Sequence, residues 1–260
     1  MSSLEALILG LVQGFTEFLP VSSSGHLAIG KALFGIETSD LSFEIAVHAA
    51  TVCATIVVFR KEILSLLKGL FKFRMNDETK YILLICLSMV PVFVVGMFFK
   101  DSVEGIFGSG LYVVAGGLVL TAILLTLSGF IGSRDKSVSW KSALWMGVAQ
   151  AVAVWPGLSR SGSTIATGLM CGVRKEEVAQ FSFLMVLVPI LGEAFLDLVG
   201  GDAAAGSTGA LQLAIGFIAA FVSGLFACRF MIAVVKKAKL KWFALYCLCA
   251  AALCVIIELC

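Results

Sequence analysis

Charge is scarce in this chain. Only 14% of its 260 residues are charged, 60% are hydrophobic and the mean hydropathy is +1.04, which excludes an ordinary soluble domain of this length. Several apolar stretches are long enough to cross a hydrocarbon core of about 30 Å as helices. The clear ones lie near 43–59, 81–99, 111–131, 178–199, 210–235 and 242–259. The sequence therefore predicts an all-α polytopic membrane protein with six transmembrane helices.

Other common signals are also missing. The eight cysteines have neither metal-ligand spacing nor the pattern of an extracellular disulfide framework, and we interpret them as small packing residues. The N-terminus lacks the basic region of a cleavable signal peptide and carries Glu5. The net charge of +2 says little about partners because the charges lie in loops. We expect no nucleic-acid partner.

The few basic residues are unevenly distributed. They cluster in four loops: 60–80, 132–141, 172–177 and 236–241. The other connections are mostly acidic: 32–42, 100–110 and 200–209. The positive-inside rule places the four basic loops in the cytoplasm, and the six predicted spans then alternate consistently between the two sides.

Two polar stretches interrupt the apolar sequence and match each other. A single offset of 137 residues pairs Gln13 with Gln150, Ser22 with Ser159, Ser24 with Ser161 and Gly25 with Gly162. The apolar arms of each stretch have only about 10–15 residues, which is too short to cross the membrane at 1.5 Å per residue. Each stretch is therefore expected to form a re-entrant helix hairpin.

The charge pattern gives the two hairpins opposite directions. The first, about 4–34, is expected to enter from outside, and the second, about 142–171, from the cytoplasm. Three spans follow each hairpin. We therefore predict one membrane domain, 1–260, built as an inverted-topology repeat of approximately 1–135 and 136–260. The two polar tips should meet near the midplane and form the binding site.

The first hairpin carries an intramembrane carboxylate. Gln13 and Glu17 are four residues apart and share one helix face. A carboxylate in the membrane is a candidate functional group, with a purely structural hydrogen bond as the alternative. Glu44 and His48 repeat this spacing in the first predicted span, where His48 faces either the site or the core. Glu193 and Asp197 line the entrance or pair structurally.

Three serines, a glycine and a histidine follow in Ser22–His26. One serine is explained as a helix N-cap, but three beside Gly-His are not. The open N–H groups at a helix start form an anion site, and Gly25 lets a ligand approach the backbone. If Ser23 begins the helix, His26 lies one turn further on and can reach the same pocket.

The second tip adds a fixed cation. Arg160 lies between Ser159 and Ser161 and just before Gly162. Its planar guanidinium suits bidentate phosphate binding, whereas burying it without an anionic partner would be costly. A salt bridge with Glu17 is the structural alternative. Together the two tips predict an anion cage that borders lipid, as expected for a phosphorylated lipid substrate.

At these residues the chain closely resembles the integral-membrane undecaprenyl-pyrophosphate phosphatase family. That family carries E/Q-x-x-x-E, P-V-S-S-[ST]-G-H and P-G-x-S-R-S-G-[AS]-T motifs. They read here as Gln13–Glu17, Pro20–His26 and Pro156–Thr164, and an F-E-x-x-x-[HQ] element corresponds to Phe43–His48. The resemblance covers essentially the whole chain.

The resemblance implies hydrolysis of the C55 isoprenoid pyrophosphate to its monophosphate and inorganic phosphate in the bacterial plasma (inner) membrane. This reaction recycles the lipid carrier of peptidoglycan synthesis and is linked to bacitracin resistance. The family fold has six spans and two re-entrant hairpins, is often dimeric, opens its site to the outer side and requires a divalent cation, Mg²⁺ or Ca²⁺. Glu17 is the candidate metal ligand. Gln13 replaces the Glu of many relatives and is a poorer ligand.

These observations define a predicted site. The predicted catalytic residues are Glu17, Ser23, His26 and Arg160. The predicted substrate-binding residues are Gln13, Ser22, Ser24, Gly25, His48, Ser159, Ser161, Gly162 and Thr164. In the favoured mechanism Ser23 attacks the terminal phosphorus, His26 or Glu17 takes its proton, and water then releases phosphate. In the alternative, Glu17 or His26 activates a water and the serines only bind.

Three other functional classes share some of these features. A polyprenyl-phosphate transporter or flippase would use the same inverted repeat and anion site, but needs no base beside a serine. An acid-phosphatase-like lipid phosphatase needs a histidine after the S-R motif, and the only histidines, His26 and His48, precede Arg160. An intramembrane serine protease leaves Arg160 and the duplicated tip unexplained.

Overall fold

The computed structural model describes the backbone of residues 1–36, 41–99, 105, 110–131, 135–200, 208–237 and 240–259; side chains at 41, 191, 193–200 and 236–237 lie outside the description. These residues form helices and no β-strand. The helices are α1 (Ser3–Phe18), α2 (Ser23–Phe34), α3 (Leu41–Val58), α4 (Arg60–Leu70), α5 (Asp77–Phe98), α6 (Leu111–Phe130), α7 (Trp140–Val152), α8 (Arg160–Met170), α9 (Lys175–Gly200), α10 (Ala210–Lys237) and α11 (Lys241–Leu259).

The long helices match a membrane protein. Helices α5, α6, α10 and α11 are each long and apolar enough to span a bilayer, and the bent pair α3–α4 gives a fifth candidate. The predicted all-helical membrane class is therefore confirmed. The remaining predicted span, 178–199, falls in the 26-residue helix α9, which is not among the span candidates in the described part of the chain.

The prediction of one long loop between the first two spans is wrong, because part of this segment forms helix α4. The chain turns by 74° after α3 and continues as an 11-residue helix. Ile63 and Leu66 pack against the core, while Leu64 and Leu67 are exposed. The amphipathic spacing of these four residues makes a helix that lies against α5.

Two short helix pairs occupy the predicted hairpins. Helices α1 and α2 have 16 and 12 residues, and α7 and α8 have 13 and 11. At 1.5 Å per residue none of the four reaches across a hydrocarbon core. A capping box of Ser2 and Glu5 starts α1, and one of Ser139 and Ser142 starts α7.

Small residues allow the first helix of each pair to pack closely against a long helix. Helix α1 packs on α10, and a Cβ on Gly14 would lie 2.0 Å from Ser223 Oγ. One on Gly10 would lie 2.5 Å from the Gly216 carbonyl oxygen. Helix α7 packs on α5 in the same way, with Gly147 against the Ser88 carbonyl. Such close backbone approach is typical of small-residue packing between membrane helices.

The tips of the two helix pairs touch each other inside the molecule. The Ser161 hydroxyl donates to the Leu19 carbonyl at 3.0 Å, and a Cβ on Gly162 would lie 3.3 Å from Pro20 Cβ. Each tip is also held by a long helix. Cys247 Sγ of α11 contacts the Pro20 carbonyl at 3.6 Å, while Thr121 of α6 accepts the backbone N–H of Ser159.

Candidate active site

Glu17 is the centre of the polar cluster at the first tip. Its Oε2 accepts a hydrogen bond from Gln13 Nε2 at 2.9 Å and one from the Ser23 hydroxyl at 2.5 Å. His48 Nε2 of α3 lies 3.9 Å from the same oxygen. The structure therefore brings three of the predicted site residues together around the carboxylate of a fourth.

The turn between α1 and α2 selects which serine faces Glu17. Ser22 adopts φ +70° and caps α2, its hydroxyl accepting the Gly25 N–H at 3.2 Å. The Ser24 hydroxyl lies 3.2 Å from that of Ser22. Ser23, the first residue of α2, is therefore the one whose hydroxyl reaches Glu17. The cap accounts for Ser22, and the functional interpretation applies to Ser23.

The second tip repeats this local structure with one change. The Ser159 hydroxyl caps α8 by accepting the Gly162 N–H at 3.0 Å, and it lies 3.3 Å from the Ser161 hydroxyl. Ser159, Ser161 and Gly162 thus take the parts of Ser22, Ser24 and Gly25. Arg160 occupies the position of Ser23. The same capped turn presents a hydroxyl in one half and a guanidinium in the other.

A cavity joins the two tips. Including its mouth, it encloses about 400 Å³ of empty space. Its polar lining is Glu17, Thr51, Thr55, Arg160, Ser161, Thr164 and Ser182, and its apolar lining is Phe18, Val52, Phe183, Val186, Leu187 and Ile190. No described side chain forms a hydrogen bond or an ion pair within 4.0 Å with the Arg160 guanidinium. The predicted alternative of a close Arg160–Glu17 salt bridge is therefore wrong.

The ring of His26 makes its hydrogen bonds outside the Glu17 cluster. Its Nδ1 lies 2.8 Å from the Ser22 carbonyl, and its Nε2 lies 2.8 Å from the hydroxyl of Tyr246 on α11. The structure does not place it against Ser23, although the two residues are one helical turn apart. Gly25 lies at a contact between the two tips, since a Cβ there would lie 3.4 Å from Gly157 Cα.

Three hydroxyl residues of the cavity were missed by sequence reasoning. Thr51 follows His48 by three residues and Thr55 follows Thr51 by four, so all three share one face of α3. This helical spacing could have identified both threonines from the sequence. Ser182 of α9 lies 2.6 Å from the Thr164 hydroxyl, a contact between helices that no local pattern predicts.

The acidic residues outside the cluster have other surroundings. Glu44 forms an ion pair with Lys31, which ties the end of α2 to the start of α3. The side chains of Glu193 and Asp197, predicted to line the entrance or pair structurally, lie outside the described residues.

The donor set near Glu17 fits a hard divalent cation only in part. Gln13 Oε1 is fully buried and has no hydrogen-bond partner, so an amide oxygen is available beside the carboxylate. No group of three His, Cys, Asp or Glu side chains with metal-site geometry occurs in the described chain. Mg²⁺ commonly takes one or two protein ligands and completes its octahedron with water and substrate phosphates. Gln13 and Glu17 fit such a partial site.

The fold and the cavity define a multi-pass membrane protein with a partly polar cavity between the tips of two short helix pairs. The chain belongs to the family described as Bacitracin resistance protein BacA, whose model matches residues 6–253. It is 58% identical to an undecaprenyl-diphosphatase of Bacteroides thetaiotaomicron over 100% of both chains. It is also 62% identical to one of Parabacteroides distasonis and 60% identical to one of Bacteroides fragilis, each over 95% of both chains.

Proposed function

We propose that this chain hydrolyses undecaprenyl diphosphate to undecaprenyl phosphate and inorganic phosphate. The observation that carries the proposal is the mixed lining of the cavity. Arg160, the carboxylate of Glu17 and several hydroxyls line it together with aromatic and aliphatic side chains. A lipid with a charged diphosphate and an isoprenoid chain has the same two-part chemistry. Family membership and the high identity to undecaprenyl-diphosphatases give the same function.

Arg160 is the principal phosphate-binding group in this proposal. Among the described side chains, none contacts the Arg160 guanidinium as a counter-ion. Such a cation is stabilised when an anion binds, and its planar fork matches two phosphate oxygens. Arg160 is the first residue of α8, and the start of a helix favours a bound anion. Charge that develops on the phosphoryl oxygens is therefore stabilised by groups already in place.

Ser23 is the proposed nucleophile and Glu17 its base. Ser23 Oγ attacks the terminal phosphorus as its proton passes to Glu17 Oε2, with which it is already hydrogen-bonded. The bond between phosphorus and the bridging oxygen breaks, and undecaprenyl phosphate leaves. Glu17 passes the proton from Ser23 to the departing phosphate oxygen and is again a carboxylate. Water then attacks the phosphorus of the phosphoserine and gives a proton to Glu17, the bond from phosphorus to Ser23 Oγ breaks, Glu17 returns the proton to Oγ, and inorganic phosphate leaves. His26 is less suitable as the first base because both of its ring nitrogens have other partners.

A divalent cation bound at Gln13 Oε1 and Glu17 would neutralise phosphate charge during the transfer. The residues themselves contribute one carboxylate and one amide oxygen. Gln13 also orients Glu17 through its Nε2.

For the whole chain we propose six spans and two re-entrant hairpins in an inverted-topology repeat within the bacterial inner membrane. The mirrored packing of α1 on α10 and α7 on α5 supports this arrangement, as do the touching tips. With the basic loops in the cytoplasm, the first hairpin enters from the outer side and the site opens there. The reaction would then recycle the cell-wall lipid carrier and confer bacitracin resistance.

Phosphate release from C55 diphosphate by purified protein, with Mg²⁺ or Ca²⁺, tests the function. Ser23→Ala and Arg160→Ala should each lose at least about 10²-fold in rate, and a quenched wild-type reaction should contain phosphoserine at Ser23. Wild-type protein that releases no phosphate refutes the phosphatase. Transport of a polyprenyl phosphate in vesicles without turnover would instead indicate a carrier. Substantial activity in Ser23→Ala would favour direct attack by water.

A further inference from the structure

The last helix contacts the first tip through two consecutive residues. Tyr246 of α11 places its hydroxyl 2.8 Å from His26 Nε2, and the two rings stack at 5.5 Å with an interplanar angle of 5°. The next residue, Cys247, contacts the Pro20 carbonyl at 3.6 Å. Helix α11 thus contacts the first tip before Ser23, at Pro20, and after it, at His26.

The hydrogen bonds of His26 have defined directions. A carbonyl only accepts, so Nδ1 carries the hydrogen that is donated to the Ser22 carbonyl. In the neutral ring Nε2 therefore accepts, and the Tyr246 hydroxyl donates to it. Tyr246 and Ser22 together fix the tautomer and the plane of the imidazole.

The residue at the other end of this chain of contacts is strained. Ser22 is a non-glycine residue at φ +70°, a conformation that persists only when the surrounding structure enforces it. Its carbonyl accepts from both the backbone N–H and the Nδ1 of His26. Its hydroxyl caps α2, and the following residue is Ser23, which faces Glu17.

We propose that Tyr246 is a positioning residue for the phosphatase reaction, clamping the Ser22 turn through His26 so that Ser23 stays aimed at Glu17 and the phosphate. This inference rests on the proposed function. Its carrying observation is the continuous set of contacts from Tyr246 through His26 to the Ser22 carbonyl. Loss of the tyrosine hydroxyl loosens the turn without removing any group that touches the substrate.

Among the described residues, the second tip shows no equivalent of the histidine contact. The repeat mate of His26 is Ser163, whose buried hydroxyl has no hydrogen-bond partner in the described part of the chain. The second turn presents Arg160 from a backbone with ordinary φ at Ser159, −68°. A long flexible guanidinium tolerates looser support than a serine hydroxyl that must meet phosphorus in line.

Steady-state kinetics of Tyr246→Phe test the proposal, because phenylalanine keeps the ring and removes only the hydroxyl. We expect kcat to fall roughly fivefold to tenfold, the effect of one hydrogen bond, with KM for C55 diphosphate unchanged within about twofold. Tyr112→Phe is the matched control, since Tyr112 is also half-exposed, at 50% against 48% for Tyr246. The control should behave as wild type. A Tyr246→Phe enzyme with wild-type kcat overturns the proposal.

A double-mutant cycle and a spectroscopic measurement separate positioning from general loosening. Adding Tyr246→Phe to His26→Ala should cost little beyond His26→Ala alone, whereas additive losses overturn the clamp. The chain has only two histidines, so ¹⁵N-histidine NMR gives two ring systems that His48→Gln assigns. Tyr246→Phe should shift the His26 Nε2 resonance and leave that of His48 in place. An unshifted His26 signal contradicts the clamp even if the protein proves inactive as a phosphatase.

Discussion

Gln13 gives this chain a cluster with a single carboxylate. Its amide nitrogen donates to Glu17, and its buried carbonyl oxygen has no partner. An amide in this position orients Glu17 without adding a second negative charge next to it. The arrangement offers a divalent cation only one charged ligand.

Gln13→Glu should therefore lower the Mg²⁺ or Ca²⁺ concentration needed for half-maximal activity by about tenfold, because a second carboxylate joins the site. Titrating phosphate release against the cation gives this value directly. Gln13→Leu is the comparison, since it removes both the amide oxygen and the donor to Glu17. An unchanged cation requirement in Gln13→Glu would place the cation elsewhere.

Arg160→Lys is the sharpest test of phosphate binding, since it keeps the charge and removes the planar fork. We expect KM for C55 diphosphate to rise about tenfold, with a further loss in kcat, because the lysine ammonium cannot engage two oxygens at once. Arg174→Lys, at an exposed arginine outside the cavity, is the matched control and should leave both constants unchanged. Equal kinetics of Arg160→Lys and wild type would argue against bidentate binding.

At the level of single residues, the sequence predicts which residues belong to the site better than it predicts which residues contact each other. The 137-residue offset anticipates that Ser22 and Ser159 occupy equivalent turns, and the structure shows both as N-caps. The spacing of Ser23 and His26 suggests a common pocket, but the ring of His26 turns to Tyr246, which is 220 residues away in the chain. A contact over that separation leaves no trace in local spacing.

At the level of secondary-structure elements, the close packing of α1 on α10 depends on glycines, which have no side chain. Helices α1 and α10 approach at Gly10 and Gly14, where any Cβ would collide with backbone or with Ser223. Glu17 lies one turn beyond Gly14 on the same helix. The position of the proposed base is therefore set by how closely α1 can lie on its neighbour.

Gly14→Ala should destabilise the protein by roughly 1–3 kcal/mol, the usual cost of overpacking, and should reduce activity by displacing Glu17. Thermal unfolding in detergent, followed together with phosphate release, measures both effects. Gly116→Ala is the matched control: a Cβ there meets nothing within 4 Å, so stability should change by no more than about 0.5 kcal/mol. Equal melting temperatures for the two variants would contradict the packing described for α1.

Element boundaries follow from local chemistry where caps and proline are present. The end of α1 before Pro20 and the start of α2 at Ser23 agree with the expected helix break and cap. Helix α4 was missed because its basic residues, Arg60, Lys61 and Lys68, are typical of a cytoplasmic loop. Its partly buried positions, Ile63 and Leu66, stabilise a helix only when α5 lies alongside. Tertiary packing, rather than local propensity, forms this helix.

For the whole molecule, the charge distribution predicts that the proposed site faces the outer side. In vesicles with the protein oriented as in the cell, phosphate released from C55 diphosphate should appear on the outer side. A phosphate sensor enclosed in the lumen should stay silent while an external one responds. Inverted vesicles of the same protein are the control and should give the opposite result. Luminal release from cell-oriented vesicles would refute the outer-facing site.

The hydrogen bond from Ser161 to the Leu19 carbonyl also governs how the protein is made. The two residues are separated by 142 positions, which a ribosome covers in on the order of ten seconds at about 5–20 residues per second. During that interval the first tip exists without the hydroxyl that satisfies it and without Arg160. The contact between the two tips, and with it the proposed reaction centre, can therefore form only late in synthesis.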